Sequence, residues 1–151
     1  MDNKISLSNL YELHDKNKFE IIGISFGPDK DDEMRKRVSS AFDEFYDVRL
    51  KTEDEIVKFS RELKIDIAID LMCFTKYHKF GIFVKRCAPI QVNYLGYPGT
   101  SGTNYLDYII ADKILIPKES QKYYSEKIVY LPDTYQANDS TKKISDKVFS
   151  R

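Results

Sequence analysis

The sequence predicts an α/β domain in which a parallel sheet carries helices on both faces. Strand-like and helix-like patterns alternate along the chain, and this order builds a parallel sheet. Hydrophobic residues make up 42% of the 151 residues. A chain of this length buries about 70% of its surface on folding, enough for one core. With six glycines and five prolines, the composition is that of a globular domain.

The N-terminal third predicts a helix, a strand and a second helix. Leu7, Leu10 and Tyr11 share one helical face, which predicts a short helix ending near His14. A β-branched run over 19–25 is followed by Gly27-Pro28 and predicts a buried strand. A helical apolar pattern then begins behind two acidic residues, which favour a helix N-terminus. The acids are Asp31 and Asp32, and the pattern is Met34, Val38, Ala41, Phe42 and Phe45.

The rest of the chain continues the alternation. Thr52 and Glu55 have the spacing of a capping box and predict a helix start. Strict alternation over 65–71 predicts a strand, and 77–86 is typical of a third helix that ends before Pro89. Three further apolar runs predict strands over 90–95, 108–111 and 128–131.

Composition excludes several classes of protein. The 24 basic and 24 acidic residues cancel, so no polyanion-binding surface and no nucleic-acid partner are expected. Cys73 and Cys87 are too few for a disulfide scaffold, which favours a reducing, cytoplasmic setting. No apolar run approaches a membrane span, and no membrane partner is expected. Beyond Pro132 the sequence turns polar, so we expect a compact unit over 1–135 and a tail or linker over 136–151.

Ligands of open parallel sheets bind at the carboxyl ends of the strands. The loop after the strand over 90–95 has Gly96, Gly99 and Gly102 spaced three apart, so its backbone can approach a ligand closely. The spacing fits neither a P-loop nor a dinucleotide fingerprint. The loop is either a tight structural turn or a ligand loop.

A second candidate loop follows the strand over 65–71. Thr75 and Lys76 offer a hydroxyl and a point charge for a phosphate or another polar group. The alternative is a solvated lysine at the start of the next helix. Asp70, at the strand's end, either orients this loop or caps that helix, and the cap is the favoured interpretation.

Other candidate residues give weaker signals. Asp29-Lys30-Asp31 has the spacing of a carboxylate metal motif, but acids are favoured before a helix in any case, so no metal is predicted. His14 and His78 are titratable near neutrality, yet neither has a pattern that distinguishes it from a surface histidine. The sequence therefore predicts no catalytic residue.

Five blocks of the sequence, in order and spacing, resemble the catalytic region of the protein O-GlcNAc transferases, including the SPINDLY-like members. The resemblance covers about residues 7 to 139. The blocks are Phe74-Thr75-Lys76, Arg86-Cys87-Ala88-Pro89-Ile90-Gln91-Val92, Leu95-Gly96-Tyr97-Pro98-Gly99-Thr100-Ser101-Gly102, Leu106-Asp107-Tyr108-Ile109-Ile110-Ala111-Asp112 and Tyr124-Ser125-Glu126-Lys127.

The resemblance implies the first Rossmann-like lobe of a two-lobe GT-B glycosyltransferase. It implies that Leu95-Gly96-Tyr97-Pro98 line the pocket for sugar and acceptor, with Thr75-Lys76 on the same rim. Gly99, Thr100 and Gly102 shape that loop. Where the family has Gly-Tyr-Thr-Lys-Gly, this chain has Cys73-Phe74-Thr75-Lys76-Tyr77, so two glycines are replaced.

The implied activity is inverting transfer of N-acetylglucosamine from UDP-GlcNAc to Ser or Thr hydroxyls of proteins, with no metal or other cofactor. The family's first strand and its His-Pro loop would precede Met1, and a second lobe would follow Arg151. We therefore expect a lobe that is incomplete at its N-terminus, inactive alone, and exposing an apolar face. Two alternatives remain: a noncatalytic fragment that binds an acceptor peptide or a partner lobe, and a fucosyltransferase lobe that uses GDP-fucose.

Overall fold

The computed structural model describes residues 3–28 and 32–141. They form an α/β fold in which helices and strands alternate as the sequence predicts, with one further strand between the second and third helices. In chain order these are α1 (Asn3–Glu12), β1 (Ile22–Ser25), α2 (Glu33–Ala41), β2 (Glu44–Asp47), α3 (Glu53–Glu62), β3 (Ile67–Asp70), α4 (Gly81–Val84), β4 (Ile90–Tyr94), β5 (Tyr108–Ala111), a 3₁₀ helix (Lys118–Tyr123) and β6 (Lys127–Tyr130).

All the strand pairs described are parallel, which confirms the predicted fold class. β1 pairs with β2, and a second sheet has the order β3-β4-β5-β6. Asp70, the last residue of β3, lies opposite Asn93 of β4. The carboxyl ends of β3 and β4 therefore leave the sheet side by side.

Helices cover both faces of this arrangement. On one face, Ile56 and Val57 of α3 and Phe83 of α4 form a buried core, against which Ile24 of β1 and Ala68 of β3 pack. One core thus extends beneath both sheets. Since successive strand residues point to opposite faces, Gly23 points away from that core.

The opposite face of β1 carries α2 and α1. A Cβ at Gly23 would lie 2.6 Å from the Phe45 ring and 3.1 Å from Phe42, so this glycine makes room for both aromatic side chains. Phe42 in turn stacks on Tyr11 of α1, with 4.5 Å between ring centroids.

The predicted extension of the second helix to Phe45 is wrong. α2 ends at Ala41, and Phe42 adopts an extended backbone. The residues after Ala41 pair with β1 although their apolar spacing is helical. The Asp43 N–H donates to Ile21 O at 3.0 Å, and β2 follows in register with β1. The aromatic residues 42 and 45 are half-buried by the packing at Gly23, and this packing does not require a helix.

Both predicted helix starts are confirmed. Asp32 accepts a hydrogen bond from Arg35 N at 2.7 Å. Thr52 and Glu55 form the complete capping box at the start of α3. The predicted helix over 77–86 is only partly correct, since α4 has a single turn.

The segment after β6 returns to the N-terminal helices. The Tyr94 hydroxyl donates to Tyr135 O at 2.7 Å, and Arg37 pairs with Glu12 and Asp139, each at 2.7 Å. A division of the chain at 135 stays a prediction. Among the helices described, none is long and apolar enough to cross a membrane.

Candidate functional site

The two loops singled out in the sequence meet at the carboxyl edge of β3 and β4. The ring of Phe74 contacts that of Tyr97 nearly edge-on, with 5.8 Å between centroids. Thr75 is half-buried beside this contact, whereas Lys76 is exposed. The predicted rim residues therefore lie on neighbouring loops of one surface.

The loop after β4 begins with a strained three-residue turn. Gly96 N–H donates to Tyr94 O at 2.8 Å, and Leu95 between them has φ +68°. This is the rare form of the γ-turn. Among the described glycines, Gly102 is the one with positive φ, at +66°. The left-handed residue at the start of the loop is thus Leu95, and Gly96 does not require that conformation.

Asn93 holds the near end of this loop from below. Its side chain is fully buried, and Nδ2 donates to Tyr97 O at 3.0 Å and to Gly99 O at 3.4 Å. Because both acceptors are main-chain carbonyls, Asn93 fixes the path of the loop and leaves the side chain of Tyr97 free to face outward.

Glu126 holds the far end. Its carboxylate is buried and accepts from Ser101 N at 2.6 Å and from Thr100 Oγ1 at 2.7 Å. Burial alone would raise the pKa of Glu126, but the hydrogen bonds from Ser101 and Thr100 outweigh it, and the pKa is lowered. Glu126 therefore remains ionised as a structural anchor.

The predicted loop-shaping residues have distinct surroundings. A Cβ at Gly99 would lie 3.0 Å from the Tyr97 ring, whereas one at Gly102 would meet open space. Gly99 is thus restricted by packing and Gly102 by its positive φ. Thr100 contributes through its bond to Glu126.

The loop after β3 is organised by Asp70. Its Oδ1 accepts from Met72 N at 2.8 Å and from Cys73 N at 3.0 Å. The favoured interpretation of Asp70 as a helix cap is wrong, because α4 begins only at Gly81 and the carboxylate is used within its own loop. Burial raises the pKa of Asp70 more than these two bonds lower it.

Two further residues of this loop have left-handed backbones. Cys73 has φ +44° and Tyr77 has φ +68°, and these are the two positions where the resembling motif has glycine. The loop therefore keeps a glycine-type backbone path with non-glycine residues. Burial raises the pKa of the Cys73 thiol to about 11, which makes it a poor nucleophile.

The remaining candidate residues differ in their exposure and in their hydrogen bonds. The Lys76 ammonium lies 4.9 Å from the centre of the Tyr77 ring and is open to an anionic ligand. His78 is exposed beside Phe74. His14 is structural, because its ring is bonded to Asp43 at 2.9 Å and to Tyr11 O at 2.6 Å.

No metal site emerges from the part of the chain that the structure describes. Within 3–28 and 32–141, no three His, Cys, Asp or Glu side chains form a group that could hold a metal ion. The carboxylate motif at 29–31 lies outside the described residues.

Sequence reasoning did not assign roles to Asn93 and Glu126. Asn93, like Gln91, is a polar residue in the buried strand Ile90–Tyr94, and this signal marks a buried amide with a specific acceptor. Glu126 belongs to one of the five resembling blocks, but no local pattern connects it to a loop 25 residues earlier.

A solved structure has the same architecture. A mutant of the Thermobaculum terrenum O-GlcNAc transferase superimposes with a TM-score of 0.85 and 30% identity, over 90% of this chain and 26% of that chain. This fold, with its loops at the carboxyl edge, defines a Rossmann-like lobe of the GT-B glycosyltransferase type. The model of glycosyl transferase family 41 matches residues 6–149, and the chain belongs to that family.

Named relatives are consistent with this membership. The probable UDP-N-acetylglucosamine–peptide N-acetylglucosaminyltransferase SEC of Arabidopsis thaliana is 35% identical over 140 residues, covering 93% of this chain and 14% of that protein. The UDP-N-acetylglucosamine–peptide N-acetylglucosaminyltransferase of Caenorhabditis elegans is 29% identical, over 90% of this chain and 12% of that protein. The chain thus spans about a seventh of these relatives.

Proposed function

We propose that this chain is part of an inverting glycosyltransferase that moves N-acetylglucosamine from UDP-GlcNAc to Ser or Thr hydroxyls of proteins. Family membership supports the proposal, as do the names of the relatives. Its partners are the nucleotide-sugar donor, an acceptor protein or peptide, and a second catalytic lobe. The reaction requires no metal or other cofactor.

The observation that carries the proposal is the meeting of the two loops at the carboxyl edge. The loop after β4 is held from below by Asn93 and from its far side by Glu126, so its upper surface is fixed before any ligand arrives. Such preorganisation lowers the cost of positioning reactants. We assign the backbone of Leu95–Pro98 to the sugar and its acceptor.

Lys76 supplies a positive charge on the rim, close to where the diphosphate of the donor would bind. It is exposed on the same rim, and its ammonium is a flexible point charge suited to phosphate oxygens. Loss of the diphosphate leaving group requires strong electrostatic stabilisation. We assign most of that stabilisation to the second lobe and a supporting contribution to Lys76.

The test joins this chain to the remaining catalytic region of the Thermobaculum terrenum enzyme. The hybrid is incubated with labelled UDP-GlcNAc and Ser/Thr peptides, and we expect transfer, whereas the chain alone should give none. Lys76→Ala should lower turnover about tenfold with little change in stability, a loss of about 1.4 kcal/mol. Lys58→Ala, on the exposed surface of α3, is the matched control and should have no effect.

Other outcomes identify the alternatives. Transfer from GDP-fucose in place of UDP-GlcNAc would make the lobe part of a fucosyltransferase. Peptide binding without transfer by a well-folded hybrid would make it a noncatalytic binding domain. Full activity of Lys76→Ala would remove that residue from the site.

A further inference from the structure

The segment after β6 runs past the carboxyl ends of two strands beside the candidate site. We call residues 131–141 the strap. The Tyr135 N–H donates to Asp112 Oδ2 at 2.8 Å, one residue beyond β5. The Tyr135 carbonyl accepts from the Tyr94 hydroxyl at 2.7 Å, at the end of β4. One residue of the strap is therefore held by two neighbouring strands of the sheet.

Tyr94 joins the strap to the loop after β4. It is the last residue of β4, and its side chain is buried. While its hydroxyl donates to the strap, its main-chain carbonyl accepts from the Gly96 N–H at 2.8 Å. This second bond closes the turn with which the loop begins, so a displacement of Tyr94 would move the acceptor on which the turn depends.

That turn needs support from outside itself. Leu95 has a left-handed backbone, with φ +68°, and a strained non-glycine conformation persists only where the surrounding structure holds it. Successive residues of a strand point to opposite faces of the sheet, so Asn93 and Tyr94 hold the turn from opposite faces. Asn93 is bonded to the loop itself, whereas Tyr94 is bonded to a residue 41 positions further along the chain.

Helix α1 restricts the position of the Tyr94 ring. Burial raises the pKa of Tyr11, and the neighbouring Tyr94 raises it further, so the side chains of α1 and β4 lie close together here. Closely packed interiors transmit displacements instead of absorbing them. A shift of the strap therefore passes through the Tyr94 ring to its main chain.

We propose that Tyr94 is a positioning residue of the candidate site. By donating to the strap it fixes the carbonyl that accepts from Gly96, and it thereby maintains the path of Leu95–Pro98. The coupling of the strap to the loop stands on these contacts alone, whereas its consequence for turnover rests on the proposed function.

Tyr94→Phe tests the coupling in the chain as it stands. The substitution keeps the ring and removes the hydroxyl that donates to the strap. Hydrogen exchange at the Gly96 amide should become about tenfold faster, because the turn that protects this amide opens more often.

Tyr130→Phe is the matched control. Tyr130 is the last residue of β6, and its hydroxyl likewise donates to a main-chain carbonyl, that of Ile116, at 2.8 Å. Both variants should lower the Tm by a similar amount, but Tyr130→Phe should leave exchange at Gly96 unchanged. Unchanged exchange at Gly96 in Tyr94→Phe, or equal acceleration by the control, would overturn the proposal.

A second variant loosens the strap at its other bond to the sheet. Asp112→Asn keeps one oxygen for the amides of Ile114 and Leu115, which bond to Oδ1, and removes the acceptor of Tyr135 N. Exchange at Gly96 should again become faster. The double variant with Tyr94→Phe should give less than the product of the two single effects, because both act through the strap. Independent effects of the two substitutions would contradict the coupling.

The two-lobe hybrid tests the consequence for the reaction. Tyr94→Phe should lower kcat about threefold, because a looser loop positions the reactants less well. The KM for UDP-GlcNAc should change by less than about twofold, because most of the nucleotide site is assigned to the second lobe. Tyr130→Phe should change neither quantity.

The outcomes of this last test are distinguishable. Faster exchange at Gly96 together with full turnover would overturn the positioning role of Tyr94. Absence of transfer by the unsubstituted hybrid would count against the proposed function, and the exchange measurements would then decide the coupling by themselves.

Discussion

The two loops of the candidate site share one edge of the sheet but are stabilised differently. The loop after β4 is anchored by a residue distant in sequence, since Glu126 lies 25 positions beyond Ser101. The loop after β3 is held locally. Met72 N and Cys73 N donate to Asp70 Oδ1, and Thr75 Oγ1 donates to Met72 O, so each bond spans two or three positions. The loop after β4 thus depends on a distant residue as well as on the nearby Asn93, whereas the loop after β3 is held mainly by its own turn.

The surroundings of each loop explain this difference. The loop after β4 lies inside a sheet with partners on both sides, so distant elements are available to hold it. The loop after β3 follows a strand that is paired on one side only among the described strands. Fewer distant elements are therefore available to hold this loop.

The largest expected effect comes from removing the distant anchor. Glu126→Ala leaves the Ser101 N–H buried without its acceptor and should cost about 2–3 kcal/mol. Glu126→Gln keeps one acceptor oxygen and should cost about half as much. Urea unfolding at pH 7 measures both, with Glu119→Ala on the exposed 3₁₀ helix as control. A cost below that of the control would mean that the loop does not depend on Glu126.

The buried carboxylate of Glu126 predicts that the stability of the chain falls at acidic pH. The pKa of Glu126 lies below its ordinary value of 4.5. Ionised Glu126 therefore contributes stability above about pH 4.5 that is lost as the pH falls through the lowered pKa. The Ser101 amide should lose protection from exchange in that range, and Glu126→Gln should show no such dependence.

Two glycine substitutions in the loop after β4 distinguish backbone strain, measured as stability, from a role in the reaction, measured as turnover. Gly102→Ala should cost about 1 kcal/mol, because its φ is positive although the space around it is open. Gly96→Ala should cost less in stability and, in the two-lobe hybrid, should lower turnover more than Lys76→Ala. If Gly96→Ala leaves turnover intact, the loop is only a turn.

The loop after β3 should gain stability when the left-handed residue Tyr77 is replaced by glycine. Tyr77→Gly relieves a left-handed backbone at a half-exposed side chain and should stabilise the chain by about 0.5 kcal/mol. Tyr123→Gly is the control, because Tyr123 lies in the 3₁₀ helix and is exposed, and it should be destabilising. A loss of stability from Tyr77→Gly would show that its ring, which lies under Lys76, matters more than the strain.

The smallest effect is expected at Asp70. Because its pKa is raised above 3.8, the folded chain favours the protonated form, and this contribution to stability is lost as the pH rises through the raised pKa. Asp70→Asn keeps the acceptor oxygen without the buried charge. It should therefore change stability by less than about 0.5 kcal/mol at pH 7. Thermal unfolding at pH 4 and pH 7 measures the difference.

The parts of the fold that depend on neighbouring residues could be predicted from the sequence. Three signals lie within a few residues each: the capping box of Thr52 and Glu55, the strand alternation around Ile67, and the spacing of the loop glycines. The structure contains the helix, the strand and the loop that these signals predict. β2 was not predicted, because Phe42 and Phe45 have helical spacing and only the space beside Gly23 accommodates them in another conformation. Asn93 and Glu126 act through partners that the fold alone brings near. The site assignments of residues 75–76 and 95–98 stay predictions until ligand binding is measured.

The guanidinium of Arg37 joins three separate parts of the chain. It reaches Asn9 at 2.9 Å, Glu12 at 2.7 Å and Asp139 at 2.7 Å, so the last described segment is bound through α2 to the final turns of α1. Residues that share one ion-pair network are energetically coupled. A substitution that loosens the segment around Asp139 should therefore also weaken the packing of α1 on α2, although the two lie more than a hundred residues apart in the sequence.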